Sequence, residues 1–448
     1  MSNDNNYKEI YSSLGLRNIS DKEFNRLHTN IRQYYSINEF TFYTPLIKLF
    51  TNYINTTKSL NTKHKLFQLI KKKKRFGSIG FSYKAKIKTD SNKIIHKDVF
   101  VKEVPFLDPT NMDIYYQNIS SPHSDISPVG QAVYNSLYNL TNNTHVELFV
   151  TYLVSKLVEL NISPTFSMFY GNYYTNMSKF SYDITSSEDI LDKLDEIMNI
   201  DEPVNYYSTE DDILLEYSNV PAYLIVTEYS KLGIDYLLET KKITYDIIRS
   251  AMFQIVSAIV TMRSVFGIKH NDLHFGNIMI EPTTKQFLYY QFNKIYYKIP
   301  TYGYIFKIID WGRATYLFND LMGDNSVFNG PGECFEQYVY KRANNSGLAP
   351  LDVNENDWTD IIMFCHSMLY EYKDTLANTD LARLLKKQIT STDKELIEIR
   401  QFDWELYTEI SEKSFNIQPS GIFTNRIFND FKIKKPKNID QVVYKILL

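Results

Sequence analysis

Cysteine is almost absent: Cys334 and Cys365 are the only two in 448 residues. Two thiols can build neither a disulfide framework nor a four-thiolate zinc site, and so low a count points to an intracellular, reducing compartment. Glycine (15) and proline (14) are also scarce, which excludes collagenous and glycine-proline-rich disordered chains. A strong charge of either sign is missing too. Forty-nine Lys and Arg face fifty-two Asp and Glu, a formal net charge of -3, so there is no global basic field and no nucleic-acid site is evident. No apolar run reaches the roughly 20 residues needed to span a bilayer. The longest, Ala251–Met262, is interrupted by Gln254 and Ser257 and lies between Arg249 and Arg263. The first residues, Met1 to Lys8, hold no apolar segment of the signal-peptide type, and Ser2 stands where myristoylation requires glycine.

What is present suits a folded globular protein: 44% hydrophobic, 15% aromatic and 23% charged residues. Tyrosine is abundant, at 36, alongside much Asn, Ile and Lys, the pattern of an A/T-rich coding sequence. By length the chain holds about three domains at roughly 150 residues each, or one large two-lobed enzyme.

Residues 1–75 read as a helical extension, with helices expected over Asp21–Tyr35, Thr44–Ile54 and Thr62–Lys74. The five consecutive cations Lys71–Arg75 read as a solvated helix end or as a contact for an anionic partner. From Phe76 the pattern turns to strands, Ser82–Lys88 and Ile94–Val104, joined by a Thr-Asp-Ser-Asn turn. An amphipathic helix is expected over His145–Leu160, then strands over Phe166–Tyr174 and Tyr223–Tyr229. Between those strands, Asp183–Glu216 carries twelve carboxylates and one cation, Lys193, and reads as an acidic surface insertion near 175–220. It is either simply solvated or a recruiter of basic substrate segments. Beyond Lys231 helices dominate, led by the apolar Tyr245–Phe266, with strands at Asn277–Ile280, Gln286–Phe292 and Tyr304–Ile309. The whole is an α+β chain of two lobes, β-rich over 76–230 and helical over 231–448.

The chemistry concentrates in His270-Asn271-Asp272-Leu273-His274-Phe275-Gly276-Asn277 and in Asp310-Trp311-Gly312 after an apolar strand. Asp272 and Asn277, five apart on a loop between a buried helix and a strand, can aim a carboxylate at a hydroxyl and an amide oxygen at a metal. Asp310 at a strand end can complete the hard-oxygen coordination of Mg²⁺. The order H-x-D-x-x-x-x-N, apolar strand, D-x-G is similar to the protein-kinase catalytic loop and metal-binding motif. On that likeness Val99-Phe100-Val101-Lys102 resembles the strand whose lysine holds the nucleotide phosphates. Glu147 is its ion-pair partner, favoured over Glu159, which lies about 120° round the same helix. Gly77 and Gly80 stand in the glycine-loop position, with Ile79 and Ser82 where the spacing wants glycine. Thr227-Glu228-Tyr229 resembles the gatekeeper and hinge that bind adenine through backbone groups.

Taken together, the chain resembles the eukaryotic-like protein kinase superfamily, and within it the haspin-like kinases and the serine/threonine kinases of large DNA viruses. The narrower likeness rests on Glu228-Tyr229 followed by Gly233-Ile234-Asp235, on Asp272-Leu273-His274, and on Ile299–Gly303 closing a hairpin before Ile308-Ile309-Asp310. It spans residues 76–370. The resemblance implies a two-lobed kinase fold, ATP and Mg²⁺, transfer to Ser/Thr hydroxyls of a protein substrate, Asp272 as catalytic base, Asn277 and Asp310 as metal ligands, and Gly77, Gly80, Lys102, Glu147, Glu228 and Tyr229 around the nucleotide. A viral source would place the protein in host cytoplasm or virion.

Three departures carry weight. Asn271 replaces the arginine that grips an activation-loop phosphate, His274 replaces the usual lysine, and Trp311 replaces Phe in D-F-G. His274 also fits kinases of small molecules, so a small-molecule phosphotransferase is one alternative; the poor glycine loop makes an inactive scaffold another. Gly330-Pro331-Gly332-Glu333 stands at a plausible A-P-E position. His270 reads as packing under the metal-binding turn. Asp360 is either a brace behind the catalytic loop or an ordinary helix N-terminal residue.

Overall fold

The computed structural model describes residues 2–52, 58–76, 80–106, 139–185, 204–208, 213–318, 321–328, 334, 358–435 and 442–448. Helix and sheet are mixed, and the chain divides into two compact units. A sheet unit takes Leu14–Leu148 and Phe169–Tyr229; a helical unit takes Met1–Ser13, Phe149–Met168 and Ser230–Leu448. The principal helices are α1 (Ser2–Ser13), α2 (Asp21–Ile31), α3 (Asn143–Glu159), α4 (Tyr245–Phe266), α5 (Thr359–Glu371), α6 (Asp380–Gln388) and α7 (Trp404–Glu412).

The sheet unit is built on β1 (Ile37–Thr41), β2 (Lys65–Phe76), β3 (Gly80–Lys88), β4 (Ile94–Pro105), β5 (Phe169–Asp183), β6 (Val204–Ser208) and β7 (Ile213–Glu228). All pairings are antiparallel, in the order β1-β5-β7-β4-β3-β2, with β6 added to β7. Val220 and Ala222–Val226 of the central β7 are buried at successive positions, as expected for a strand with both faces covered.

Here the structure departs from the expected helices. Residues 65–76 are a strand, so the basic run Lys71–Arg75 lies on the sheet's edge strand and is no helix end. Leu66 and Leu69, three apart, suggested a helical period. They are both buried because the β-bulge between Leu66 and Gln68 inserts one residue between them and resets the alternation; a further bulge follows between Leu69 and Lys71. A bulge leaves backbone groups to satisfy, and Asn30 of α2 takes both from Leu69: its Nδ2 donates to the carbonyl at 2.8 Å and its Oδ1 accepts from the N–H at 2.7 Å. Lysines on an edge strand also discourage pairing with another chain. The helix expected from Thr44 is a single 3₁₀ turn, Pro45–Leu49, capped by the Thr44 hydroxyl. The acidic insertion is narrower than read: β5 runs to Asp183 and β7 starts at Ile213, with Leu215 and Tyr217 fully buried. Residues 186–203 and 209–212 of that stretch, Gly77, and Gly330–Glu333 lie outside the described residues.

The helical unit centres on α4, buried on nearly every side. Its start is capped by Thr244, whose hydroxyl accepts from Ile247 N. It stops at Gly267, whose φ of +60° is the left-handed conformation glycine adopts at no steric cost. Beside it β8 (Leu232–Gly233), β9 (Ile278–Pro282) and β12 (Tyr304–Ile308) form a three-stranded sheet in the order β8-β9-β12, pairing Ile278 with Ile308. The intervening hairpin, β10 (Phe287–Phe292) and β11 (Ile295–Pro300), joins β13 (Lys432–Ile433) and β14 (Val443–Lys445) in a second sheet. Among the described residues no helix is long and apolar enough to cross a membrane.

Candidate functional site

In the helical unit, α4 delivers the chain to residues 269–277. Lys269 and Thr315 exchange backbone hydrogen bonds, both at 3.0 Å, which anchors the entry. Next, the His270 and Asn271 N–H groups donate to the two oxygens of Asp360 at 2.8 and 2.9 Å. Asp360 is buried in the first turn of α5. Burial pushes its carboxyl up, opposed by His270 and by the two N–H donors. Asn271 has a φ of +62°, which asparagine tolerates better than most residues, and its Nδ2 donates to Arg313 O at 3.0 Å. His270 Nε2 donates to Ile309 O at 2.9 Å and its ring packs on Trp311, centroids 4.8 Å apart. His270 is thus a packing residue, and Asp360 braces the loop from behind.

With its backbone held, the loop presents Asp272 and Asn277 together. Asn277 Nδ2 donates to Asp272 O at 2.8 Å and to Asp272 Oδ2 at 3.2 Å. Asp272 Oδ1 accepts from Arg313 Nη1 at 3.2 Å and from the Tyr407 hydroxyl of α7. His274 sits beside them. Burial holds its imidazole below the usual range, and Nδ1 accepts from Gly276 N at 3.0 Å, which requires that nitrogen to be unprotonated. Asp310, with a φ of +65°, follows directly on Ile309, whose N–H donates to Asn277 O at 3.1 Å. The two motifs are therefore coupled by backbone as well as by side chains.

In the sheet unit, Lys102 on β4 donates to Glu147 Oε1 on α3 at 2.5 Å, with both side chains mostly buried. Glu159 is paired instead with Lys156 at 2.7 Å. Gly80 opens β3 opposite Lys102. A Cβ there would be driven into the Phe100 ring and press on Phe76 O, so the close approach requires glycine. Glu228 ends β7 and is bound by Lys97 at 2.9 Å, while the Tyr229 ring lies 5.6 Å from Phe76.

No family profile matches the chain. It is 30% identical over 179 residues to the serine/threonine-protein kinase haspin of Bos taurus, a match covering 37% of this chain and 22% of that protein. The haspin of Mus musculus is 28% identical over 129 residues, 27% of this chain and 17% of the relative. Uncharacterized protein 098R of Invertebrate iridescent virus 6 is 38% identical over 83 residues, 18% of this chain and 14% of its own length. The chain is related to the haspin-like kinases. The matched stretch spans about a fifth of the haspins' length, and the relationship implies a kinase-like fold.

In this haspin-like chain two residues at the site were not legible beforehand. Arg313 directly follows the D-x-G motif, so its position beside that motif is the signal that marks it. Tyr407 stands 135 residues after Asp272, with no motif to mark it.

The divalent metal of kinases can be tested against the donors present. Asn277 Nδ2 is spent on Asp272, which turns the amide so that its Oδ1, a hard oxygen, accepts no hydrogen bond among the described residues. Asp310 adds a carboxylate on the neighbouring turn. No cluster of three or more His, Cys, Asp or Glu suited to a metal occurs among the described residues. One amide oxygen and one carboxylate fit Mg²⁺, which keeps waters and phosphate oxygens as its other ligands.

Proposed function

We propose that this protein is an ATP-dependent serine/threonine protein kinase with a two-lobed kinase fold, the sheet unit serving as the first lobe and the helical unit as the second. The observation that carries the reading is the 270–277 loop. Its backbone is clamped to Asp360, its Asp272 carboxylate is held in one orientation, and its Asn277 amide oxygen is left for a cation.

Asp272 orients the acceptor hydroxyl and takes its proton. Asn277 and Asp310 would hold Mg²⁺, which when bound neutralises charge on the phosphate oxygens. Lys102, kept in place by Glu147, positions the α and β phosphates. The backbone at Glu228 and Tyr229 receives the adenine, and amides at Gly77 and Gly80 cover the phosphates. Catalysis on this reading is mostly positioning plus charge stabilisation, as phosphoryl transfer demands.

His274 favours a second reading. Held neutral, it supplies no cation where protein kinases have lysine, which suits a phosphotransferase acting on small-molecule hydroxyls. Radiolabelled ATP with casein, histone and a panel of metabolites separates the two. Label on protein Ser or Thr, lost in Asp272→Asn, supports the kinase. Label on a metabolite alone would move the assignment to the second reading.

A further inference from the structure

Proximity alone does not make a carboxylate a good base; its orientation must be set. A carboxylate offers about four acceptor positions. On Asp272 three are engaged among the described residues: Tyr407 and Arg313 at Oδ1, Asn277 at Oδ2. Such an arrangement fixes the plane of the group and leaves one acceptor position, on Oδ2.

Tyr407 is a fixture of the fold and no surface side chain swung inward. It is only 6% exposed. Its helix, α7, is capped by Asp403, which accepts from Leu406 N at 2.8 Å, and is tied down by buried Leu406 and Ile410. The Tyr407 ring packs edge-on against Phe402, centroids 5.1 Å apart, and the Arg313 guanidinium lies 5.9 Å from its centre. Burial and the neighbouring Asp272 push the phenol up, so the hydroxyl keeps its proton and remains a donor. It does so without adding charge, unlike a lysine in the same place.

Building on the kinase reading above, we propose that Tyr407 is a positioning residue for the Asp272 carboxylate, its hydroxyl holding Oδ1 so that Oδ2 faces the acceptor hydroxyl. Tyr407 touches neither acceptor nor phosphate in this role; it acts through Asp272. Because the anchor comes from α7, the orientation of the base depends on a segment 135 residues away in the chain.

Tyr407→Phe tests this, since it removes one hydroxyl and keeps the ring that packs on Phe402. Wild type, Tyr407→Phe and Asp272→Asn are compared in the full chain with Mg²⁺-ATP and the best protein acceptor. The expected result is about a tenfold loss in kcat, the scale of one hydrogen bond to a charged group. The KM for ATP, the nucleotide dissociation constant and the thermal midpoint should stay unchanged, which a merely structural role would not give. An unaltered kcat overturns the inference. So does a faster variant with a lower acceptor KM, which would make the hydroxyl a plug in the acceptor's place, or phosphate recovered on Tyr407 itself, which would make it an acceptor. If wild type and Asp272→Asn are equally inert toward every acceptor, the kinase reading fails, and this inference falls with it.

Discussion

The 270–277 loop and the β3–β4 hairpin bring candidate residues to bear by opposite means. In the loop almost every polar group has a partner: two N–H groups on Asp360, the Asn277 amide on Asp272, the His274 ring on Gly276 N, and the Asp272 carboxylate on Tyr407 and Arg313. On the hairpin, Lys102 is positioned by its strand and by an ion pair to Glu147. The next residue points to the other face, as strand geometry requires, and it is a second carboxylate. Glu103 lies beside Val99 and Val101 in the apolar layer, accepts no hydrogen bond among the described residues, and burial pushes its carboxyl up to about 7, with Lys72 and Arg75 opposing. Hydrogen bonding specifies the loop, whereas the hairpin carries its side chains by strand register and ion pairs and leaves the Glu103 carboxyl without a hydrogen bond among the described residues, behind the face that carries Lys102.

The sharpest way to break this contrast is at its chemical end. Asp272→Asn should lower phosphoryl transfer by about 10³-fold or more, in the range of general-base losses, with nucleotide binding intact in a thermal-shift titration. Full activity in that variant would remove the loop from the chemistry. Next in size is the brace. Asp360→Ala strands two buried N–H donors, and the midpoint of urea unfolding should report a loss of about 3 kcal/mol. A change below about 0.5 kcal/mol would show the loop holding its shape without help.

For the hairpin, Lys102→Met should cost about 10²-fold in kcat/KM, equivalent to about 2.7 kcal/mol, and should raise the KM for ATP. Equal kinetics would dissociate Lys102 from the phosphates. The last effect falls on the opposite face and is confined to stability at higher pH. Because the folded-state value for Glu103 is raised, wild type is stabilised fully only below the ordinary carboxylate range. It loses that stability as pH climbs from about 4.5 to about 7. Glu103→Gln should therefore be more stable than wild type by about 3 kcal/mol at pH 8, with the gap closing toward pH 4.5 in paired urea titrations. A pH-independent difference would contradict the buried-carboxyl account.

How much was legible followed the span of each interaction. His270 to Asn277 could be read because its backbone turn and the Asn277–Asp272 bonds close within eight residues. Strands β3 and β4 were legible from alternation and their turn. Residues 65–76 were misread because the bulge between Leu66 and Gln68 gave a strand the spacing of a helix, and the signal that could have corrected it, Asn30 paired with the bulged backbone, lies 39 residues earlier. Asp360 stood as either brace or helix start until the fold placed it 90 residues from His270 in sequence and 2.8 Å away in space. For Lys102, the order of elements named Glu147 and Glu159 as rivals, and only the turn of α3 assigned each its lysine.

By itself the sequence determined which chemical groups exist and which of them share a loop or a strand, because hydrogen bonds among near neighbours depend on little beyond local backbone preference. Tertiary structure decided the partners: Glu147 for Lys102, Asp360 for the loop backbone, Arg313 and Tyr407 for Asp272. Those pairings span 41 to 135 residues, and at that separation only the packed path of the whole chain, with the burial it imposes, determines which groups meet.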